Sequence, residues 1–176
     1  STSRRQRQMC IRDRLLAYEQ KKGNINHIHG YGKHGRDTFM QSLEDNGVDA
    51  GNPHFIIKEY IDNMYTCMCA SDLIITRAGA MTLTEIMAIG RASVLIPYPY
   101  AAENHQYYNA LTLQNANAGR IIDDKELTGS VLIDTVNRLA DDPELLRLMS
   151  ENAAKLSKHD AAGIILREIT ELMGIK

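Results

Sequence analysis

Tryptophan is absent from this chain of 176 residues, and aromatic side chains make up only 6% of it. With so few stacking faces and a formal net charge of −2, the chain is not built to hold nucleic acid, which needs aromatic platforms or a basic groove. Cysteine is scarce as well. Cys10, Cys67 and Cys69 cannot form a disulfide framework, and Cys67-x-Cys69 has no second ligand pair nearby to complete a zinc site. The expectation is reduced thiols in a cytoplasmic protein. No apolar run approaches the roughly 18–20 residues that a membrane span requires.

What is present is ordinary for a globular domain: 44% apolar and 24% charged residues, in a length that suits one α/β domain with a real core. The first fourteen residues, STSRRQRQMCIRDR, stand apart, with five Arg and one Asp. Without them the remainder carries 15 basic and 21 acidic residues. They hold no apolar core of a secretory signal. Residues 1–14 are read as a non-native segment, and 15–176 as the domain.

From there strand and helix patterns alternate. Strands are expected at 25–29, 54–61, 71–76, 92–97 and 119–122. Helices are expected at 36–46, 82–89, 104–116, 127–140, 143–156 and 160–173, with a short helix or turn at 62–70. The strands are short apolar runs without alternation, as in a parallel sheet covered on both faces. The βαβα order predicts a Rossmann-like, doubly wound parallel sheet, with ligands bound beyond the carboxyl ends of its strands.

One such end is Arg77-Ala78-Gly79-Ala80, between SDLIIT and TLTEIMAIG. Gly79 can adopt positive φ, and the small neighbours leave room for a ligand at the helix N-terminus, whose N–H groups and dipole favour an anion. A purely structural account is also available: Thr82-x-x-Glu85 fits a capping box. The loop is neither a dinucleotide fingerprint nor a P-loop. A second polar cluster, Glu103-Asn104-His105-Gln106-Tyr107-Tyr108-Asn109, follows the next strand and would face the same sheet edge. It could equally be another capped helix, with Asn104 as cap. His27-x-His29 reads as strand packing, Lys33 and residues 123–126 as solvated. Residues 160–173 read as an amphipathic helix packed on the domain or on a missing partner.

The run DLIITRAGAMTLTEIMAIGRASVLIPYP, then NHQYYNA, then AGRIIDDKELTG, with HIHGYGK and FIIKEYIDNM upstream, resembles the C-terminal domain of bacterial peptidoglycan glycosyltransferases. These enzymes add N-acetylglucosamine from UDP-N-acetylglucosamine to lipid I, forming lipid II. The resemblance spans about residues 24–129, and more loosely the rest. It implies the C-terminal half of a GT-B fold that holds the UDP-sugar. Ile61 matches the position whose backbone meets the uracil edge. Ala80, Met81 and Thr82, continued by Leu83 and Thr84, match the loop around the diphosphate and uridine. Glu85 matches the carboxylate that accepts from the ribose hydroxyls. His105 and Gln106 match the pair that reads the sugar, while Asn109 has a structural place in that motif. The implied chemistry is an inverting transfer. No cofactor is implied, and no Asp-x-Asp triplet marks a metal.

The chain departs from the family pattern at its start. The first strand, its glycine-rich loop and the N-terminal acceptor domain have no counterpart here, so catalytic residues are not assigned. The expectation is a donor-binding half, inactive alone, that in the whole enzyme meets lipid I on the cytoplasmic face of the bacterial membrane. Two alternatives stay open: a UDP-N-acetylglucosamine 2-epimerase, and a non-catalytic nucleotide-sugar-binding subunit that needs a separate acceptor partner.

Overall fold

The computed structural model describes residues 15–22, 25–33, 36–157 and 160–174; the segment 1–14, read above as non-native, lies outside the described residues. In chain order the elements are α1 (15–22), β1 (His27–Gly30), α2 (Arg36–Asp45), β2 (Phe55–Lys58), α3 (Met64–Ala70), β3 (Leu73–Thr76), α4 (Ala80–Ile89) and β4 (Ala92–Leu95). A 3-10 turn (Ala102–Asn104), α5 (His105–Asn115), β5 (Gly119–Ile121), α6 (Gly129–Ala140), α7 (Pro143–Lys155) and α8 (Ala161–Leu172) follow. Every strand pairing is parallel, and a helix lies between each pair of paired strands, as the alternating sequence pattern requires.

The described chain divides into two compact units. The first runs to Ser71 and includes Ile122–Leu146. In it β1 pairs with β2, with His27 opposite Phe55 and Gly30 opposite Lys58. Phe39 and Leu43, one helical turn apart on α2, join Leu16, Val48 and Phe55 in a buried cluster. Gly47, at φ +67, ends α2 and lets the Val48 N–H reach the Leu43 carbonyl at 2.8 Å. The two histidines of β1 serve packing. His27 Nδ1 lies 2.7 Å from the Glu19 carboxylate, which is only 2% exposed, and His29 stacks on Phe39 with ring centroids 4.8 Å apart. Among the described residues, no group of three or more His, Cys, Asp or Glu could hold a metal ion.

The second unit comprises Asp72–Ile121 and the chain from Arg147. Its sheet has the order β3-β4-β5. Central β4 is buried at all four residues, which explains a strand sequence with no polar alternation. Gly119 stands opposite Ser93, and a Cβ there would lie 2.9 Å from Ser93 Oγ and 3.3 Å from Leu113 Cβ. Glycine lets β4, β5 and α5 approach this closely. Gly90 closes α4 in the left-handed conformation at φ +62, and the Arg91 N–H then reaches the Ile86 carbonyl.

The strands are shorter than the sequence predicts: β2 covers four residues of the expected eight. Ile164, Ile165, Leu166, Ile169 and Leu172 of α8 are exposed in this chain, so the helix does not pack its apolar residues on the domain. Among the described residues, no helix is long and apolar enough to cross a membrane.

Candidate functional site

The carboxyl ends of β3 and β4 lie side by side, and the ladder continues past them through the Ile96 N–H to the Thr76 carbonyl at 2.9 Å. The two loops that leave these ends carry most of the residues singled out by sequence.

Helix α4 starts at Ala80, two residues earlier than expected, with Gly79 as N-cap. The capping box is therefore not formed. Thr82 occupies the third helical position, and no side chain caps this end. Ala80 and Met81 are good helix formers, and their propensity draws the helix back to the glycine. The first backbone bond runs from the Leu83 N–H to the Gly79 carbonyl at 3.0 Å, and the Thr84 hydroxyl turns inward to the Ala80 carbonyl at 2.9 Å. The N–H groups of the first turn thus meet no capping side chain, the arrangement that favours an anion. Gly79 itself sits at φ −68, so the freedom to adopt positive φ is not used. Nothing lies within 4 Å of where its Cβ would be, so the glycine leaves open space above the helix end. Ala80, Met81, Thr84 and Glu85 are exposed, Thr82 is half-buried, and Leu83 is buried as an anchor.

The second loop is held in an unusual conformation. Glu103 (φ 49) and Asn104 (φ 56) are consecutive non-glycine residues in the left-handed region, each costing on the order of 1 kcal/mol. Asn104 stands at the N-cap of α5, but its side chain makes no cap bond, contrary to the structural alternative. His105 and Gln106 open the helix. The His105 Nδ1–H donates to the Ala102 carbonyl at 2.8 Å, which leaves Nε2 of the neutral ring as an acceptor. Gln106 Oε1 accepts the Tyr98 N–H at 2.9 Å, which leaves its amide nitrogen as a donor. His105 thus offers an acceptor and Gln106 a donor, the two functions that a hydroxyl group can use.

The two loops are tied together. Asn109 Nδ2 donates to the Ala78 carbonyl at 3.3 Å, which gives Asn109 the structural place expected for it. Arg77 Nη1 donates to the Ile96 and Pro97 carbonyls at 3.0 and 3.1 Å, and its guanidinium carbon lies 5.7 Å from the Tyr98 ring centre. Sequence reasoning missed both this arginine and Tyr98, since a single Arg after a strand carries no pattern. Gly32, in the HIHGYGK run that helps carry the resemblance, takes φ +78 just beyond β1. Ile61 belongs to the first unit, where its side chain lies 3.6 Å from the Cβ position of Gly30; the other predicted residues belong to the second.

Residues 5–165 match the family described as the glycosyltransferase family 28 C-terminal domain. A relative from Desulforamulus reducens, named UDP-N-acetylglucosamine–N-acetylmuramyl-(pentapeptide) pyrophosphoryl-undecaprenol N-acetylglucosamine transferase, is 38% identical over 167 residues, covering 93% of this chain and 45% of the relative. A relative of the same name from a Thermoanaerobacter species is 40% identical over 154 residues, covering 88% and 42%. The crystal structure of MurG from Acinetobacter baumannii superposes with a TM-score of 0.78 at 26% identity, over 93% of this chain and 46% of that one. The glycotransferase of kitacinnamycin shares the fold at 20% identity, with a TM-score of 0.64. The chain thus spans less than half the length of the relatives it matches. On the extent of the family match and these relatives, the chain belongs to glycosyltransferase family 28, as its C-terminal domain.

Proposed function

We propose that this chain is the donor-binding half of an inverting N-acetylglucosaminyltransferase that moves the sugar of UDP-N-acetylglucosamine onto lipid I to form lipid II. The names of the relatives point to that donor and acceptor. The observation that carries the reading is the uncapped start of α4 beside the paired His105 and Gln106, on two loops tied to one sheet edge.

In this reading the diphosphate lies at the N–H groups of Ala80, Met81 and Thr82. Glu85 follows one turn later and accepts from the ribose hydroxyls. His105 Nε2 accepts from a sugar hydroxyl, and the Gln106 amide donates to one. Transfer inverts the anomeric carbon: the acceptor hydroxyl attacks, and UDP leaves. Negative charge then grows on the diphosphate, where helix-end N–H groups stabilise it more strongly than in the ground state. Lipid I and the catalytic base belong to the N-terminal part of the whole enzyme, which acts on the cytoplasmic face of the membrane as a peripheral protein. No cofactor enters this scheme.

Hydrogen exchange with and without UDP-N-acetylglucosamine tests the placement. Slower exchange is expected in peptides covering 79–83 and 104–107. Protection confined to other segments, or none under saturating ligand, would overturn it.

A further inference from the structure

We propose that Arg77 is a positioning residue that couples the helix-end loop to the sugar-facing loop, so that it sets selectivity for the sugar rather than affinity for the nucleotide. The proposal rests on the donor reading above and extends it.

Arg77 is the first residue beyond β3, directly before the loop assigned to the diphosphate. A cation there would be expected to reach for a phosphate. Its guanidinium instead reaches across to the neighbouring loop, to the Ile96 and Pro97 carbonyls and the Tyr98 ring. Arginine fits this position because it stays charged, offers several donors in one plane and stacks on an aromatic face. The contacts continue from there. The Tyr98 N–H holds Gln106 Oε1, and Asn109, one turn further along α5, holds the Ala78 carbonyl. Ala78 adjoins Arg77, so the chain of contacts closes on itself. Neither loop shifts without breaking a member of this ring. Because the Tyr98 N–H occupies the Gln106 oxygen, the ring also fixes which end of that amide faces a ligand.

The consequence is a division of labour. Backbone N–H groups at 80–82 would serve the diphosphate whether or not Arg77 is in place. Gln106 would present its donor correctly only while Tyr98 is held. Arg77 then acts through Gln106 and has no contact of its own with the ligand.

Calorimetric titration with UDP and with UDP-N-acetylglucosamine separates the possibilities, using the unaltered chain, Arg77→Met, Arg77→Lys, Gln106→Ala and Arg77→Met/Gln106→Ala. Arg77→Met should bind UDP within about twofold of the unaltered chain, but lose about tenfold of the advantage of the sugar nucleotide over UDP. Arg77→Lys keeps a cation and one donor, so it should fall between; it also serves if the methionine variant does not fold. The double variant should be no worse than Gln106→Ala alone. Equal loss of both ligands, steepened by salt, would mean that Arg77 acts on the diphosphate directly and would overturn the proposal. Additive losses in the double variant would overturn it as well. If the unaltered chain binds neither ligand, the donor reading itself fails, an outcome distinct from both.

Discussion

Gly79 is a glycine in a backbone conformation that any residue can adopt. Its φ is −68 and its Cβ position is open, so in the proposed donor site it serves as a spacer for the ligand. Gly79→Ala should therefore leave folding stability unchanged or raise it by up to about 1 kcal/mol in a urea titration. The same methyl group should weaken binding of UDP-N-acetylglucosamine about tenfold. Unchanged affinity would show that the helix end is not the anion site. Thr82 gives the complementary case. As a capping residue its loss would cost about 1 kcal/mol. At the third helical position, with no cap bond, Thr82→Ala should cost under about 0.5 kcal/mol. The candidate residues were singled out by the family resemblance, since spacing alone left a capping reading open at both loops. The partners of Arg77 and Tyr98 were not legible in sequence, since both depend on which loop faces which.

Elements were legible where a local rule governs them. Glycines at 47 and 90 take positive φ and end α2 and α4 where the sequence places the ends. The start of α6 obeys a local rule too: the Thr128 hydroxyl accepts from the Val131 N–H at 3.2 Å, and Thr128→Ala should cost about 1 kcal/mol in chemical denaturation. Two local rules competed at the start of α4. The capping box argued for Thr82, helix propensity for Ala80, and the structure follows propensity. Strand lengths escaped the sequence reading because a strand ends where its neighbour ends, a fact of the sheet and not of the segment. The close approach at Gly119 belongs to this class. Gly119→Ala pushes a methyl group against Ser93 and Leu113 and should cost about 1–3 kcal/mol. A melting temperature equal to that of the unaltered chain would contradict the packing of β4, β5 and α5.

At the scale of the whole molecule, the parallel pairings were legible because apolar strand runs alternating with helices admit few arrangements, and the family was legible in its motif runs. The fate of α8 was not: an amphipathic pattern announces a buried stripe without saying what buries it. Ile165 is 58% exposed and Leu172 is 87% exposed. Charged substitutions there, such as Ile165→Glu, should change stability by less than about 0.5 kcal/mol in this chain. A larger loss would mean that the helix is packed after all. If the chain binds a UDP-sugar through the α4 end, thermal melting with UDP-N-acetylglucosamine will show it, with UDP-glucose and NAD as controls. Ligand at about 100 times its dissociation constant adds about 2.7 kcal/mol, a shift of roughly 5–10 °C for a chain of this size. That shift is expected for the N-acetyl sugar nucleotide, with smaller shifts for the controls, and it should be lost in Glu85→Ala. A cooperative melt that UDP-N-acetylglucosamine does not move would contradict binding at the α4 end.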